Sequence, residues 1–346
     1  MTYTYSFSVG GAVRASLLAF GLSAAAVASA FAQDTRTITD MDGRSVEVPA
    51  KIERIATVGP VPVLNSFVFA VGEGDKIVNG IPGAGASGYW ANKILSPHLL
   101  EAPQLQTSNG SEPDIEALLT LKPDIAFTSS KQVAEAVERA GIPVVMLKLT
   151  TGDEIRDSVG VTGEALGRED EAAAYQQYFQ DVEDRVTKVA ATIPADAQPT
   201  VLYLNLQPLR RPNLIMDWML NLVGANSVTK DVTVGQFQFN VEQVQAWDPE
   251  MIIGMRPDDR EGLTTQEQFS GLQAVKNGKI GIVPTGIQTW GNTTTEQPLA
   301  LLWVAKYVHP EAFADIDLVA ETRDFYAKYF RIEVSEEDVR KILLMD

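Results

Sequence analysis

The sequence contains no cysteine and only two histidines in 346 residues. Without cysteine the chain has no disulfide, no thiolate metal ligand and no thiol nucleophile, and it lacks the cysteine that carries a bacterial lipid anchor. Two histidines are too few for a histidine-rich metal site. No Ser-His-Asp, P-loop or H-E-x-x-H arrangement is present either. The sequence therefore predicts a non-enzymatic protein with no cofactor and no metal site of its own.

Positive charge is also scarce, since 28 Lys and Arg stand against 45 Asp and Glu, for a formal net charge of −17. Binding to a phosphate backbone requires a basic surface, so this composition excludes a nucleic-acid partner. The chain is 45% hydrophobic and 21% charged, which excludes global disorder. Its length predicts two domains of about 150 residues each.

The longest apolar run lies at the N-terminus and predicts a secretory signal peptide over residues 1–32. Arg14 precedes a run of small and apolar residues, 15–31, that ends in an A-x-A motif at Ala30-Phe31-Ala32. A membrane anchor is the alternative, but the run is rich in alanine and serine and ends at a cleavage motif. Cleavage after Ala32 removes Arg14 and leaves a net charge of −18. The mature chain is thus predicted to be a free periplasmic protein.

Short apolar strands alternate with helices on both sides of a long helical segment. This alternation predicts an α/β fold with two doubly wound lobes joined by a long helix. The predicted boundaries are 33–165 for the N-terminal lobe, 166–193 for the connecting helix and 194–346 for the C-terminal lobe. Ligands of doubly wound sheets lie beyond the carboxyl ends of the strands, so a ligand cleft is expected between the lobes.

Several segments match a known pattern in order and spacing, namely "ITDMDGRSVEVP", "DIEALLTLKPDIAF", "VEQVQAWDPEMIIG" and "PLALLWVAKYVHPEAF". Through them the chain resembles the periplasmic binding proteins of ABC importers for iron–siderophores, haem and cobalamin. The resemblance covers the chain from about Thr35 to its end. It implies a monomeric protein that binds a small-molecule ligand and delivers it to an inner-membrane ABC permease.

The loops that follow strands carry the candidate ligand-binding residues. These are Pro60, Tyr89, Trp90, Ser130, Lys131, Asn205, Arg210, Arg211, Arg256 and Trp290. Two tryptophans on opposite lobes favour an aromatic wall for a bulky chelate, with core packing as the alternative. The consecutive arginines favour an anion clamp, because guanidinium groups bind carboxylate and catecholate oxygens through two donors, with an internal salt bridge as the alternative.

These residues, with the resemblance, predict that the ligand is a ferric siderophore or a similar anionic metal chelate. The same fold could instead bind molybdate or tungstate, haem or cobalamin. An exported two-lobed α/β enzyme is an alternative from a different class.

Two glutamates occupy matching positions in the two lobes, Glu116 in "DIEALL" and Glu242 in "VEQVQA". From the residues alone, a solvated helix face is the ordinary role of such a glutamate. The resemblance implies a second role, in which one acidic residue on each lobe docks on arginines of the permease and so sets its orientation.

Overall fold

The computed structural model describes residues 1–6, 34–83, 90–105 and 113–345. Residues 7–32 of the predicted signal peptide, with the cleavage motif, lie outside this described part. Within it, no helix is both long and apolar enough to cross a membrane.

From residue 34 onward the described chain begins with an antiparallel hairpin, β1 (Thr35–Thr39) and β2 (Ser45–Pro49). Its turn contains Gly43 at φ +76°, a left-handed conformation that glycine adopts without strain. An Asp-Gly pair such as Asp42-Gly43 is typical of the tight turns that close hairpins.

The first lobe is built on a parallel sheet with strand order β3-β4-β5. Its strands are β3 (Ile55–Thr57), β4 (Ile125–Thr128) and β5 (Val144–Met146), and the helices between them are α1 (Val61–Ala70), α2 (Asn92–Leu95), α3 (Pro97–Glu101), α4 (Ile115–Leu121) and α5 (Lys131–Arg139). Every residue of the three strands is buried, as expected for a parallel sheet covered on both faces. The apolar segment Lys76–Ile81 adds one parallel bridge to this sheet, between Ile55 and Ile77.

The hairpin covers the open edge of this sheet. The buried Asp40 carboxylate accepts the Met146 N–H of β5 at 3.1 Å and forms an ion pair with Arg44 at 2.7 Å. Arg44 in turn donates to the Val144 carbonyl at 3.0 Å. Because the free N–H and C=O groups of an edge strand invite pairing with other chains, this contact protects the lobe from edge-to-edge association.

Two consecutive helices follow, α6 (Gly152–Leu166) and the 22-residue α7 (Glu169–Ala190). The break between them falls at Gly167, which ends α6 in the left-handed region at φ +67°. The apolar face of α7 buries Tyr175, Phe179 and Val186, so packing rather than sequence propensity alone stabilises this long helix.

The second lobe repeats the design with a parallel sheet in the order β11-β10-β6-β8 and a two-residue antiparallel pair, β7 with β9. Its elements in chain order are β6 (Thr200–Leu204), β7 (Arg210–Arg211), α8 (Ile215–Leu222), β8 (Asn226–Ser227), β9 (Phe237–Gln238), α9 (Val241–Trp247), β10 (Met251–Gly254), α10 (Pro257–Thr265), α11 (Gln273–Lys276) and β11 (Ile280–Ile282). The predicted fold class, two α/β lobes with parallel sheets joined by a long helix, is confirmed.

The C-terminal segment packs across both lobes. It comprises α12 (Gln297–Val308), α13 (Leu318–Phe325), a π-helical turn (Tyr326–Phe330) and α14 (Glu336–Ile342). Phe330 stacks on Phe69 at the end of α1 with ring centroids 5.4 Å apart, and Arg331 forms an ion pair with Glu171 of α7 at 3.1 Å. The main hydrophobic core is therefore continuous from α1 through α7 to α12.

Candidate functional site

The carboxyl edge of the first sheet brings two helix N-termini side by side. Strands β3 and β4 are hydrogen-bonded neighbours, and α1 begins after Pro60 while α5 begins at Lys131. Ser130 caps α5 by accepting the Val133 N–H at 3.4 Å, and the Lys131 side chain is exposed. Neither helix has an acidic residue in its first turn. Because helix N-termini carry partial positive charge, this edge attracts anions.

The carboxyl edge of the second sheet holds Asn205 and Arg256, which follow the neighbouring strands β6 and β10. The buried Asp259 carboxylate ties their loops together, since it accepts the Leu206 N–H at 2.9 Å and the Arg256 N–H at 2.8 Å. Burial raises the pKa of Asp259, and these backbone hydrogen bonds oppose the rise. The Arg256 side chain is 53% exposed, and its Nε donates to Asp258 at 3.1 Å. Its terminal guanidinium nitrogens therefore face solvent at the strand ends.

The two consecutive arginines occupy different environments. Arg210 is half-buried and donates to the Gln236 side chain at 2.7 Å, beside the backbone pair that it makes with Asn205. Arg211 has no exposed surface and forms an ion pair with Asp217. Its guanidinium also donates to the carbonyls of Thr229, Val232 and Val234. The predicted clamp is wrong for Arg211, because its terminal nitrogens are used inside the lobe, and the internal salt bridge is what the structure has.

The predicted aromatic wall of the ligand cleft is also corrected by the structure. Trp290 is fully buried within the main hydrophobic core, so it is a packing residue and not an accessible wall of a cleft. Trp90 packs against the same core but keeps part of its ring exposed. Tyr89 lies outside the described residues. A wall of two facing tryptophans is therefore wrong, since one of the two indoles has no free surface.

Polar contacts join the lobes below these edges. The loop after β11, Pro284–Asn292, is called the β11 loop here, and its Ile287 carbonyl accepts from Asn92 Nδ2 at 2.9 Å. Just beyond the loop, the Thr295 N–H donates to Ser66 Oγ of α1 at 3.0 Å, and the Thr295 carbonyl accepts from Tyr175 of α7 at 2.7 Å. These contacts place the second sheet's carboxyl edge against the first lobe. Sequence reasoning missed them, because single Ser, Thr and Asn residues carry no recognisable pattern.

A cavity of about 270 Å³ lies away from the strand ends, where Phe69, His98 and Arg331 line it. Phe69 is at the C-terminal end of α1 and Pro60 precedes its first residue, so the two are roughly 14 Å apart at 1.5 Å per residue. This cavity is therefore separate from the edges that carry the predicted ligand residues.

Glu116 and Glu242 are exposed residues in the first turns of α4 and α9. Each helix leads into a strand of its lobe's sheet, β4 or β10, and so begins near the carboxyl edge of that sheet. Within the described part of the chain, neither carboxylate has a side-chain partner. Both are thus free to contact a partner on the side of the molecule where the strands end.

This chain is similar in sequence to known periplasmic binding proteins. A family model described as periplasmic binding protein matches residues 71–285. The chain is 25% identical to the molybdate-binding protein MolA of Haemophilus influenzae, over 88% of this chain and 94% of the relative.

Two solved structures share the fold. A periplasmic solute-binding protein from Veillonella parvula has 27% identity and a TM-score of 0.77, over 90% of this chain and 98% of that one. The molybdate-bound structure of Haemophilus influenzae MolA has 22% identity and a TM-score of 0.76, over 87% and 99% of the two chains.

Proposed function

The chain belongs to the periplasmic binding protein family, and we propose that, as the solute-binding component of an ABC importer, it captures a tetrahedral metal oxyanion, molybdate or tungstate. The observation that supports this ligand most is the pair of adjacent helix N-termini of α1 and α5, which have no acid in their first turns. Exposed Lys131 lies at this edge, and Arg256 lies at the carboxyl edge of the second sheet. An anion bound there gains from helix dipoles and from charged donors on both lobes.

The size of the ligand is inferred from the side chains that remain accessible at the strand ends. A bulky chelate binds largely through aromatic walls and several free guanidinium groups. In this chain Trp290 and Arg211 are both fully buried. The remaining groups, which are backbone N–H donors, hydroxyls and a few cationic side chains, suit a small polar anion better. The name of the relative MolA supports the same class of ligand.

A ferric siderophore is the second candidate, and it is the ligand that the sequence predicted. One observation favours it, namely that Trp90 of the first lobe is only partly buried. A half-covered indole offers an aromatic face to an organic chelate, which a tetrahedral oxyanion does not require.

Calorimetric titration with molybdate, tungstate, sulfate and a panel of ferric siderophores separates the two candidates. We expect molybdate and tungstate to bind with 1:1 stoichiometry and to raise the melting temperature, because a ligand that binds only the folded state stabilises it. Siderophore binding without molybdate binding overturns the oxyanion proposal and restores the chelate. Turnover of model esters or phosphates would instead support the enzyme alternative.

Replacement of Arg256 by alanine should weaken molybdate binding by about 10- to 100-fold, since a hydrogen bond to a charged group contributes about 1.5–3 kcal/mol. Calorimetry at fixed ionic strength measures this change. Arg139→Ala is the matched control, because Arg139 is an exposed cation at the far end of α5. Equal affinities for Arg256→Ala and Arg139→Ala would remove Arg256 from the site.

Exchange of both docking glutamates for glutamine, Glu116→Gln with Glu242→Gln, should spare ligand affinity and lower transport about 10-fold. The loss of one charge on each lobe weakens the electrostatic attraction that orients the two lobes on the permease. Ligand-stimulated ATPase activity of the permease complex in vesicles measures the effect. Glu135→Gln with Glu261→Gln is the control pair, because these residues are exposed and lie in the middle of α5 and α10. Full stimulation by the Glu116/Glu242 variant would end the docking role.

A further inference from the structure

Glu296 is a buried acid at the point where the two lobes meet. It has no exposed surface and directly precedes α12. Its Oε1 accepts hydrogen bonds from the Ile287 N–H at 3.0 Å and from the Tyr326 hydroxyl, and its Oε2 accepts from the Thr294 hydroxyl at 3.2 Å. The carboxyl group is therefore held by donors from the β11 loop, from the segment before α12 and from the C-terminal π-helical turn.

No counter-charge faces this carboxyl group. Within the described part of the chain, no lysine, arginine or histidine forms an ion pair with Glu296. The titratable groups that face it from other elements are the hydroxyls of Tyr326 and of Tyr175 on α7, and burial raises the pKa of both. The indole N–H of Trp290 makes no hydrogen bond of good geometry but lies close enough to lower the pKa of Glu296. Apart from these groups, only the N-terminus of α12 favours the charged form.

The surroundings of Glu296 decide which form of the carboxyl group is present. Burial raises its pKa to about 7, although the hydrogen bonds from Tyr326, Ile287 and Thr294 pull it down. An isolated buried carboxylate is unfavourable, and the neutral acid avoids that cost. Its Oε1 still accepts from Ile287 and Tyr326, while a proton on Oε2 is donated to the Thr294 hydroxyl.

The same carboxyl group fixes the shape of the β11 loop. It binds the N–H of Ile287, whose carbonyl is bound by Asn92 of the first lobe at 2.9 Å. The loop passes so close that a Cβ at Gly286 would lie 1.8 Å from Glu296 Oε1. Farther along, the Gly291 carbonyl accepts from Asn213 Nδ2 at 2.7 Å. One buried side chain thus sets a loop that contacts both the opposite lobe and a strand-end residue of its own lobe.

We propose that Glu296 is a positioning residue for ligand binding, which acts through the β11 loop and holds it in the binding shape as the neutral carboxylic acid. This inference rests on the proposed function, because an anion bound between the lobes opposes a second negative charge beneath the loop. Ligand binding then takes up a proton wherever the free protein holds Glu296 partly ionised. Affinity falls as the pH rises above neutrality, since ionised Glu296 must be protonated before the ligand can bind.

Calorimetric titration with molybdate between pH 6.0 and 8.5, in buffers of different ionisation enthalpy, tests this role. We expect the wild-type affinity to fall about 30-fold over this range, with uptake of a fraction of one proton on binding near pH 7.5. Glu296→Ala weakens binding at every pH, because the Ile287 N–H loses its acceptor. Glu296→Gln rescues the affinity at pH 6.0, removes the proton uptake and flattens the pH profile.

Two further variants provide a second test of the role of Glu296 and a control for it. Tyr326→Phe removes a donor to the carboxylate, so it should move the fall in affinity to higher pH even if Glu296→Gln folds poorly. Glu183→Gln is the control, because Glu183 is a part-buried acid of α7 whose carboxylate pairs with Arg156 at 2.8 Å. Tight molybdate binding with the same pH profile in wild type and Glu296→Gln overturns the role of Glu296 and leaves the proposed function standing. Absence of molybdate binding at any pH overturns the oxyanion assignment and this inference with it.

Discussion

Arg211→Ala is expected to lower the free energy of unfolding by about 3–5 kcal/mol, the cost of removing one partner of a buried ion pair. The Arg211 side chain has no exposed area, and its partner Asp217 is 11% exposed. Without the guanidinium, the Asp217 carboxylate keeps the hydroxyls of Ser227 and Thr229 as its partners among the described residues. Three carbonyls, those of Thr229, Val232 and Val234, lose a donor at the same time. The loss is a large share of the roughly 5–15 kcal/mol that stabilises a typical domain.

Urea denaturation followed by circular dichroism measures this loss as a lower midpoint. Arg210→Ala is the matched control, because Arg210 is half-buried and its guanidinium makes one side-chain hydrogen bond, to Gln236. We expect the control to cost about 1 kcal/mol, the net value of one ordinary hydrogen bond. An Arg211→Ala protein as stable as wild type, but unable to bind ligand, would contradict the structural role and restore the anion clamp that the sequence predicted.

Glu296→Gln is expected to make the protein relatively more stable at alkaline pH. The pKa of the Glu296 carboxyl is about 7 in the folded protein, above its ordinary value of 4.5. A pKa raised on folding contributes stability that is fully present below the unfolded value and is lost as the pH rises through the folded value. The loss amounts to about 3 kcal/mol, at 1.36 kcal/mol for each unit of pKa difference. Glutamine does not ionise, so the variant lacks this loss.

Urea unfolding at pH 5.0 and pH 8.0, for wild type and Glu296→Gln, measures the effect as a difference of differences. The wild type should lose about 2.5 kcal/mol relative to the variant between the two pH values, because a small part of the loss already occurs below pH 5.0. Taking the difference between the proteins cancels the other titrating groups that they share. Parallel pH profiles for the two proteins would mean that Glu296 is not protonated near neutral pH in the fold. No ligand is present, so this result does not depend on which anion the protein binds.

The local structure could be predicted from patterns because it depends on neighbours in the chain. Asp42-Gly43 is a turn whatever surrounds it, since glycine tolerates the positive φ. The segments Ile125–Thr128 and Met251–Gly254 are short apolar runs preceded by helices, and such runs are stable only inside a covered parallel sheet. The edge at which ligand residues gather followed from the same logic, because all strands of a parallel sheet end on one side.

The burial of the two consecutive arginines could not be predicted from the sequence. Arg210 and Arg211 lie on one short strand, β7, and adjacent residues of a strand point to opposite faces. One guanidinium therefore had to differ from the other, but the sequence does not tell which faces inward. The buried partner Asp217 and the carbonyls near Thr229 come together only when α8 and the following loop fold over the strand.

Sequence by itself determined the residue types, the alternation of strands and helices, and thus the two-lobed α/β class with its candidate edges. The tertiary structure alone decided which polar groups are exposed, because burial depends on contacts between segments far apart in the chain. Glu296 stands beside three threonines in the sequence, and nothing there distinguishes it from a surface acid. At the lobe junction its pKa is raised to about 7 because the side chain is fully buried there, even though Ile287 and Tyr326 donate hydrogen bonds to it.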